Sequence, residues 1–404
     1  MPLHLSSVAL EGGDFDIFEH LPTNPMTYIR GGQGIVGWGE AVRLEARGAN
    51  RIADLAAQWS RLVDDAVVED AVRLPGSGLV AFGSIAFADQ SQAASVLIVP
   101  KVLLGVRDGR VWLTRVADYD GPEFWASKQE FDANPSVTLT AGSQSADGFK
   151  QSVAQAVEAI KSGKLEKTVL ARDIEGQLPN GFDLRATLAR LAKRFDTCWI
   201  YSVDGMFGAS PELLVRVAHG QVSARVLAGT AARGTDREVD AAIAAALATS
   251  PKNTNEHAFA VDSLVQTLKP FCEHVDADPK PFSLALPNLW HLASDVHGVL
   301  KRSASVLDLA DALHPTAAVA GTPRLEAQQL IGQLEPFDRA RYAGPIGWIG
   351  ADGDGEWAIA LRGAQIEGQT VRAFAGCGIV VESEPEAELA ETELKFSPMR
   401  EALG

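Results

Sequence analysis

Along the first third of the chain the hydrophobic positions fall in short alternating runs broken by turn residues. Gly34 to Leu44, Leu79 to Ala86, Ala94 to Leu104 and Arg110 to Val116 each read as strand, so residues 1 to about 135 are mostly sheet. The period changes at Phe149 to Ser162, where Val153, Val157 and Ile160 recur at helical spacing and Gly163 is placed to end the helix. Beyond it strands and helices alternate. Lys167 to Ile174, Trp199 to Val203, Glu212 to Val217 and Gln221 to Leu227 read as strands, the last two joined at His219-Gly220. Leu184 to Phe195, Arg237 to Ala248 and Glu256 to Leu268 read as helices. Phe282 to Leu300 returns to strand, and Val306 to Leu313 and Arg324 to Leu334 to helix. Trp357 to Ile366 and Thr370 to Val381, turning at Gly368, precede a last helix from Pro385 to Ala402. Hairpins outnumber β-α-β units, which favours α+β with antiparallel sheet over a doubly wound fold.

Composition narrows the function. A chain of 404 residues with 46% hydrophobic and 22% charged side chains is long enough to bury a large core without staples. Its formal charge of −16 opposes attraction to nucleic acid or to an anionic membrane surface. Cys198, Cys272 and Cys377 form no C-x-x-C pair, so reduced thiols are expected. With an acidic amino terminus and no run of about 18 apolar residues, a cytoplasmic address is expected.

Three familiar motifs fail on their context. Gly32-x-Gly34-x-x-Gly37 has the dinucleotide spacing, but the residues after it alternate like a strand and open no helix. His291 and His297 share no zinc-binding pattern. Gly208-Ala209-Ser210-Pro211-Glu212 puts glutamate where a hydrolase elbow needs its second glycine. What remains is a set of glutamates. Glu388, Glu391 and Lys395 share one face of the last helix, and Glu256 lies on another helical stretch. Carboxylates from two helices suit a hard cation, and equally suit a solvated helix face.

From about Asp147 onward the chain resembles the chorismate-utilising enzymes, and within them the isochorismate synthases. The resemblance is carried by Lys167-Thr168-Val169-Leu170-Ala171-Arg172, Gly208 to Leu214, Leu227-Ala228-Gly229-Thr230, Glu256-His257, Leu289-Trp290-His291-Leu292 and Leu313-His314-Pro315-Thr316. It continues through Gly344 to Trp348, Ala360 to Ala364, Ala375 to Val380 and Glu388-x-x-Glu391-Thr392-x-x-x-Lys395. Residues 1–140 match only loosely. The resemblance implies large, mostly antiparallel sheets packed face to face with helices outside. Residues 1–140 would form the β-rich amino-terminal half of the fold and 141–404 the chorismate-binding region, together one continuous unit.

It also implies roles. Chorismate is a dianion, and the family uses Mg2+ to hold its ring carboxylate; Glu256 and Glu391 match the metal ligands, with Glu388 assisting. Arg362, Lys395 and the backbone at Gly376 match the receivers of the enolpyruvyl carboxylate, His291 a hydrogen-bond donor near the ring, and Gly229, Thr230 and Ala318 further substrate contacts. Lys167 matches the general base that activates water, and Glu212 the general acid that protonates the departing hydroxyl. For those roles the lysine must be held neutral and the glutamate protonated. One departure is Asn253, where the family often has an acidic residue three before the metal glutamate.

The subfamily is set by single positions. Ammonia-using relatives carry a nucleophilic lysine in a P-I-K-G-T segment, here Val226-Leu227-Ala228-Gly229-Thr230, or lack a lysine where this chain has Lys167. Water is therefore the expected nucleophile and no glutaminase partner is expected; the chain would act as a monomer. Salicylate synthases, which go on to release pyruvate, tend to have threonine where this chain has Ala318. They are the alternative, and a catalytically silent chorismate- or partner-binding homologue is the alternative of another class.

Overall fold

The structure, a computed structural model, describes residues 2–11, 15–131, 136–285 and 289–404, without the side chains at 228, 230, 232, 252, 253, 256, 289 and 291. The described chain divides into two compact units. One comprises residues 1–212, 314–351 and 358–404; the other comprises 213–313 and 352–357.

The first unit is built on a long sheet. Its strands run, in spatial order, Thr140–Ala141, Lys167–Gln177, Thr370–Ile379, Gly363–Glu367, Met206–Ser210, Trp199–Val203, Met26–Arg30, Gln33–Trp38, Val102–Arg107, Arg110–Val116, His4–Leu10 and Val67–Asp70. Among the described pairings only the last is parallel, so the fold is α+β as the hairpin count implies. A second row, Pro345–Gly350, Val80–Ser84, Ser95–Val99 and Val42–Ala46, packs across it. Ile35 and Trp112 of the long sheet and Trp348 of the second row converge beside Gly76.

Two stretches that read as single strands each divide between these layers. Gly34 to Leu44 becomes Gln33–Trp38 and Val42–Ala46, and Ala94 to Leu104 becomes Ser95–Val99 and Val102–Arg107. Gly39 and Pro100 make the corners, stitched by Lys101 N to Trp38 O at 3.0 Å and Ala41 N to Val99 O at 2.9 Å. Alternation alone does not show a strand that leaves one sheet for another, because the pattern persists through the bend. The reading of residues 1 to 135 as mostly sheet passes over the Arg51–Asp65 helix, whose Ile52, Leu55 and Trp59 are buried at helical spacing. The Gly32–Gly37 motif is a hairpin. Arg30 pairs with Gln33 around Gly31-Gly32, both at positive φ, as a two-residue turn between twisted strands requires.

Helices Leu184–Arg194 and Pro385–Leu403 cover the outer face of the long sheet. Leu184, Leu188, Leu191, Phe396, Met399 and Leu403 pack on Phe207, Ala209, Ala364, Val371, Ala373 and Ala375. The small residues on the sheet side let the helices settle close to it. Arg172 Nη1 pins the last helix to the Lys167 strand through Glu393 at 2.7 Å.

The second unit is an antiparallel sheet in the order Cys272–Ala277, Leu289–Leu300, Gln221–Ala232 and Leu213–Ala218, with Phe282–Ala285 also on Leu289–Leu300. Phe282 to Leu300, read as one strand, is thus two strands paired with each other. Helix Pro251–Leu268 packs on this sheet, and its buried His257 meets Ser294 Oγ at 2.8 Å. No described helix is long and apolar enough to cross a membrane, and all three cysteines are free.

Candidate active site

Lys167 opens its strand, where backbone pairing with Thr322 on one side meets Thr168 paired with Ile379 on the other. A methyl group at Gly378 would stand 2.9 Å from Lys167 Cε, so the lysine stem lies over that glycine. Lys167 is a half-buried residue at the start of its own strand.

The expected strand Trp357 to Ile366 breaks into Gly355–Ile359 and Gly363–Glu367, and Arg362 occupies the corner with φ of 50°. A non-glycine residue in that region costs roughly 1–3 kcal/mol and persists only where its surroundings hold it. Here Tyr201 donates its hydroxyl to Leu361 O at 2.9 Å, and Ala209 N donates to Arg362 O at 3.2 Å. Gly208 leaves the necessary room, since a methyl group there would lie 2.6 Å from Arg362 O and from Gly363 Cα. Among the described residues the Arg362 guanidinium has no carboxylate within ion-pair distance.

Glu212 follows the Met206–Ser210 strand and is fixed through its backbone. Its N–H donates to Ser210 Oγ at 3.2 Å, its carbonyl accepts Ile359 N at 3.0 Å, and Ser210 Oγ donates to Ile359 O at 2.6 Å. Ser210 is therefore an anchor of this turn. Desolvation raises the Glu212 carboxyl above its ordinary range, against the opposing pull of Arg362, Lys167 and Lys395. Three basic side chains thus stand near one carboxyl that burial favours in its neutral form.

The last helix brings Lys395 Nζ to Gly376 O at 2.8 Å and to Glu391 Oε1 at 2.5 Å. Glu388 lies one turn earlier. Its Oε1 accepts Ser383 Oγ at 2.6 Å, while its Oε2 is buried with no partner among the described residues. A buried carboxylate oxygen without a donor is costly unless something positive meets it, so this carboxylate fits a bound cation. Its charge, after burial, also pushes the neighbouring Cys377 thiol up. Among the described residues no three His, Cys, Asp or Glu side chains form a metal cluster; the Glu256 side chain lies outside those described.

Tyr342 escaped sequence reading. Its hydroxyl would be 3.2 Å from a methyl group at Gly376, it stacks on Phe374 at 5.0 Å, and burial pushes it up to about 12, keeping it a donor. The only signal was its place two residues before the Gly344-Pro345 segment. Ala318 sits exposed in the turn between Thr316 and Ala320.

The remaining candidates belong to the second unit. Gly229 falls at the bulge between Leu227 and Thr230, and the backbone of Thr230 pairs with that of His291; the side chains of Thr230 and His291 lie outside those described. Asp240 ties down the ends of both strands, accepting Trp290 Nε1 at 2.8 Å and Arg233 Nε at 2.8 Å, with Arg233 stacked 4.7 Å above Trp290.

Comparison with known proteins places this geometry. A sequence profile described as chorismate binding enzyme matches residues 15–404. Isochorismate synthase DhbC of Bacillus subtilis is 35% identical over 331 residues, 78% of this chain and 83% of that protein. The salicylate biosynthesis isochorismate synthase of Pseudomonas aeruginosa is 35% identical over 403 residues, 91% of this chain and 82% of that protein. The solved structure of MenF, the menaquinone-specific isochorismate synthase from Escherichia coli, superimposes with a TM-score of 0.79 at 26% identity, covering 100% of this chain and 95% of that one.

Proposed function

From the premise that this chain belongs to the chorismate-binding enzyme family, we propose that it converts chorismate to isochorismate. The observation that carries this reading is Glu212: a carboxyl held toward its neutral form among Lys167, Arg362 and Lys395. A dianionic substrate needs local positive charge in a chain at −16, and a departing hydroxyl needs an acid that keeps its proton.

Water adds at C2 of the ring as Lys167 takes its proton; the ring double bonds shift, the C4–oxygen bond breaks, and Glu212 delivers its proton to the leaving oxygen. One water is consumed and one released, so the product is an isomer. Arg362, Lys395, the backbone at Gly376 and the Tyr342 hydroxyl receive the enolpyruvyl carboxylate. His291, Gly229 and Thr230 are assigned substrate contacts by the resemblance. Glu388 and Glu391, with Glu256, are the residues that would hold a divalent metal, which we assign as Mg2+; bound there it supplies positive charge to the ring carboxylate. We also assign chorismate binding to residues 141–404, a monomeric state without a glutaminase partner, and a cytoplasmic setting.

The test is incubation of the protein with chorismate, with and without Mg2+ and ammonium, with products separated and pyruvate followed. Isochorismate without pyruvate, dependent on Mg2+ and indifferent to ammonium, is the expected result. Salicylate with pyruvate would replace it with the salicylate synthase reading, and binding without turnover would mean a silent homologue.

Two substitutions probe the assignment. Gly208→Ala drives a methyl group into the Arg362 corner, and chorismate KM should rise by about tenfold, equivalent to ~1.4 kcal/mol; an unchanged KM in folded protein would remove Arg362 from the carboxylate site. Ala318→Thr should raise the share of turnover that releases pyruvate by about tenfold. Pyruvate release that stays at the wild-type level would show that this position does not set the product.

A further inference from the structure

The outer edge of the Lys167–Gln177 strand is closed in an unusual way. At Lys167 and Thr168 it pairs with Gly321–Thr322, Val169 N donates to Ala320 O at 2.8 Å, and at Ile174 and Glu175 it pairs with Thr140–Ala141. Between those points no strand among the described residues lies alongside. Two side chains take its place. Arg339 Nη2 donates to Val169 O at 2.7 Å, and Ala171 N donates to Glu335 Oε1 at 2.7 Å.

These two side chains are paired with each other and buried, at 2% and 3% exposure, through Nε to Oε2 at 2.8 Å and Nη2 to Oε1 at 2.6 Å. The remaining guanidinium nitrogen, Nη1, donates to Val319 O at 2.8 Å, in the turn that carries Ala318. The Arg339 carbonyl accepts Tyr342 N at 2.9 Å. One guanidinium therefore joins the strand of Lys167, the Ala318 turn and the Glu335 carboxylate, while the backbone of the same residue meets Tyr342. Its planar fork of donors is what allows this; a lysine cannot serve three acceptors in fixed directions.

We propose that the Glu335–Arg339 ion pair is the positioning device of the reaction, standing in for a missing strand beside Val169–Ala171 and locking the Ala318 turn to the strand that begins at Lys167. This rests on the isochorismate reading. Base and product-determining turn then keep one relative setting without either touching the other. A buried ion pair adds little to stability compared with well-packed apolar residues, so its use here is geometric.

The test uses Glu335→Leu/Arg339→Met, which replaces the pair with apolar side chains and avoids leaving a lone buried charge, and Arg339→Lys as the conservative partner. The double variant should melt cooperatively and keep chorismate KM within about twofold, because Arg362, Lys395 and Gly376 lie on other segments and Tyr342 is met only by the Arg339 backbone, which the substitution leaves in place. Its kcat should fall about tenfold or more, since small displacements of a catalytic group cost that much, and its pyruvate-releasing fraction should change. Amide hydrogen exchange should quicken together in 167–173 and 314–320 and not in 370–376. Arg339→Lys should share the kcat loss, and it carries the test if the double variant does not fold. Wild-type kcat and product ratio in either folded variant, or quickened exchange in only one of the two segments, would overturn the proposal. If the wild-type protein turns over no chorismate, the isochorismate reading fails, and the exchange measurement alone decides whether the pair couples the two segments.

Discussion

Lys167→Ala should lower isochorismate formation by about 10²- to 10⁴-fold, the contribution typical of a positioned general base, while chorismate still binds in the presence of Mg2+. The amine supplies two things in turn, a proton acceptor while neutral and, once protonated, a charge beside Glu212, and a second substitution separates them. Lys167→Arg keeps the positive charge but cannot give up a proton near neutral pH, so it should be as inactive as the alanine variant. Turnover in the arginine variant close to wild type would mean that charge alone is required and that another group removes the proton. Binding measured by calorimetry distinguishes either result from a collapsed site, because Arg362 and Lys395 remain to hold the substrate carboxylate.

Glu212→Gln should lose activity over the same range and yet resist unfolding at least as well as the wild type once pH has risen through the raised range of the Glu212 carboxyl. The sign follows from the raised carboxyl. The native state holds the proton longer than the unfolded chain does, so between the ordinary carboxyl range and the raised one the folded form binds more protons, and stability falls as pH rises. Glutamine has no proton to lose and removes that slope. Wild-type kcat should likewise fall as pH rises through the raised range of Glu212 and the carboxyl ionises, an arm with no counterpart in the variant's residual rate. Melting temperatures of both proteins across pH 5 to 9 provide the check. If the variant proves less stable at every pH, the charged carboxylate is favoured by its three cations, burial does not dominate, and the acid role falls with it.

Much of this site was legible from the chain alone. The α+β class followed from hairpins outnumbering crossovers, and Lys167, Glu212, Arg362 and Lys395 stood in segments whose order and spacing resemble one enzyme family. Such segments are readable because the chemistry fixes residue type at each position. Tyr342, the Arg362 corner and the Glu335–Arg339 pair were not. Tyr342 reads as one more core aromatic until its hydroxyl is found beside Gly376. Glu335 and Arg339 read as a surface pair four residues apart, since a charged residue is ordinarily solvated.

The sequence by itself determined the types of element and the chemical groups available, because hydrophobic period and residue identity are local properties. Only the tertiary structure decided that strands bend from one layer to the next at Gly39 and Pro100, and that Arg362 is held at a positive φ by Tyr201 and Ala209. It also decided that Glu212 is desolvated among three basic side chains drawn from distant parts of the chain. A carboxyl's proton affinity depends on every charge and every excluded water around it, and those are set by packing between segments that one-dimensional pattern does not order in space.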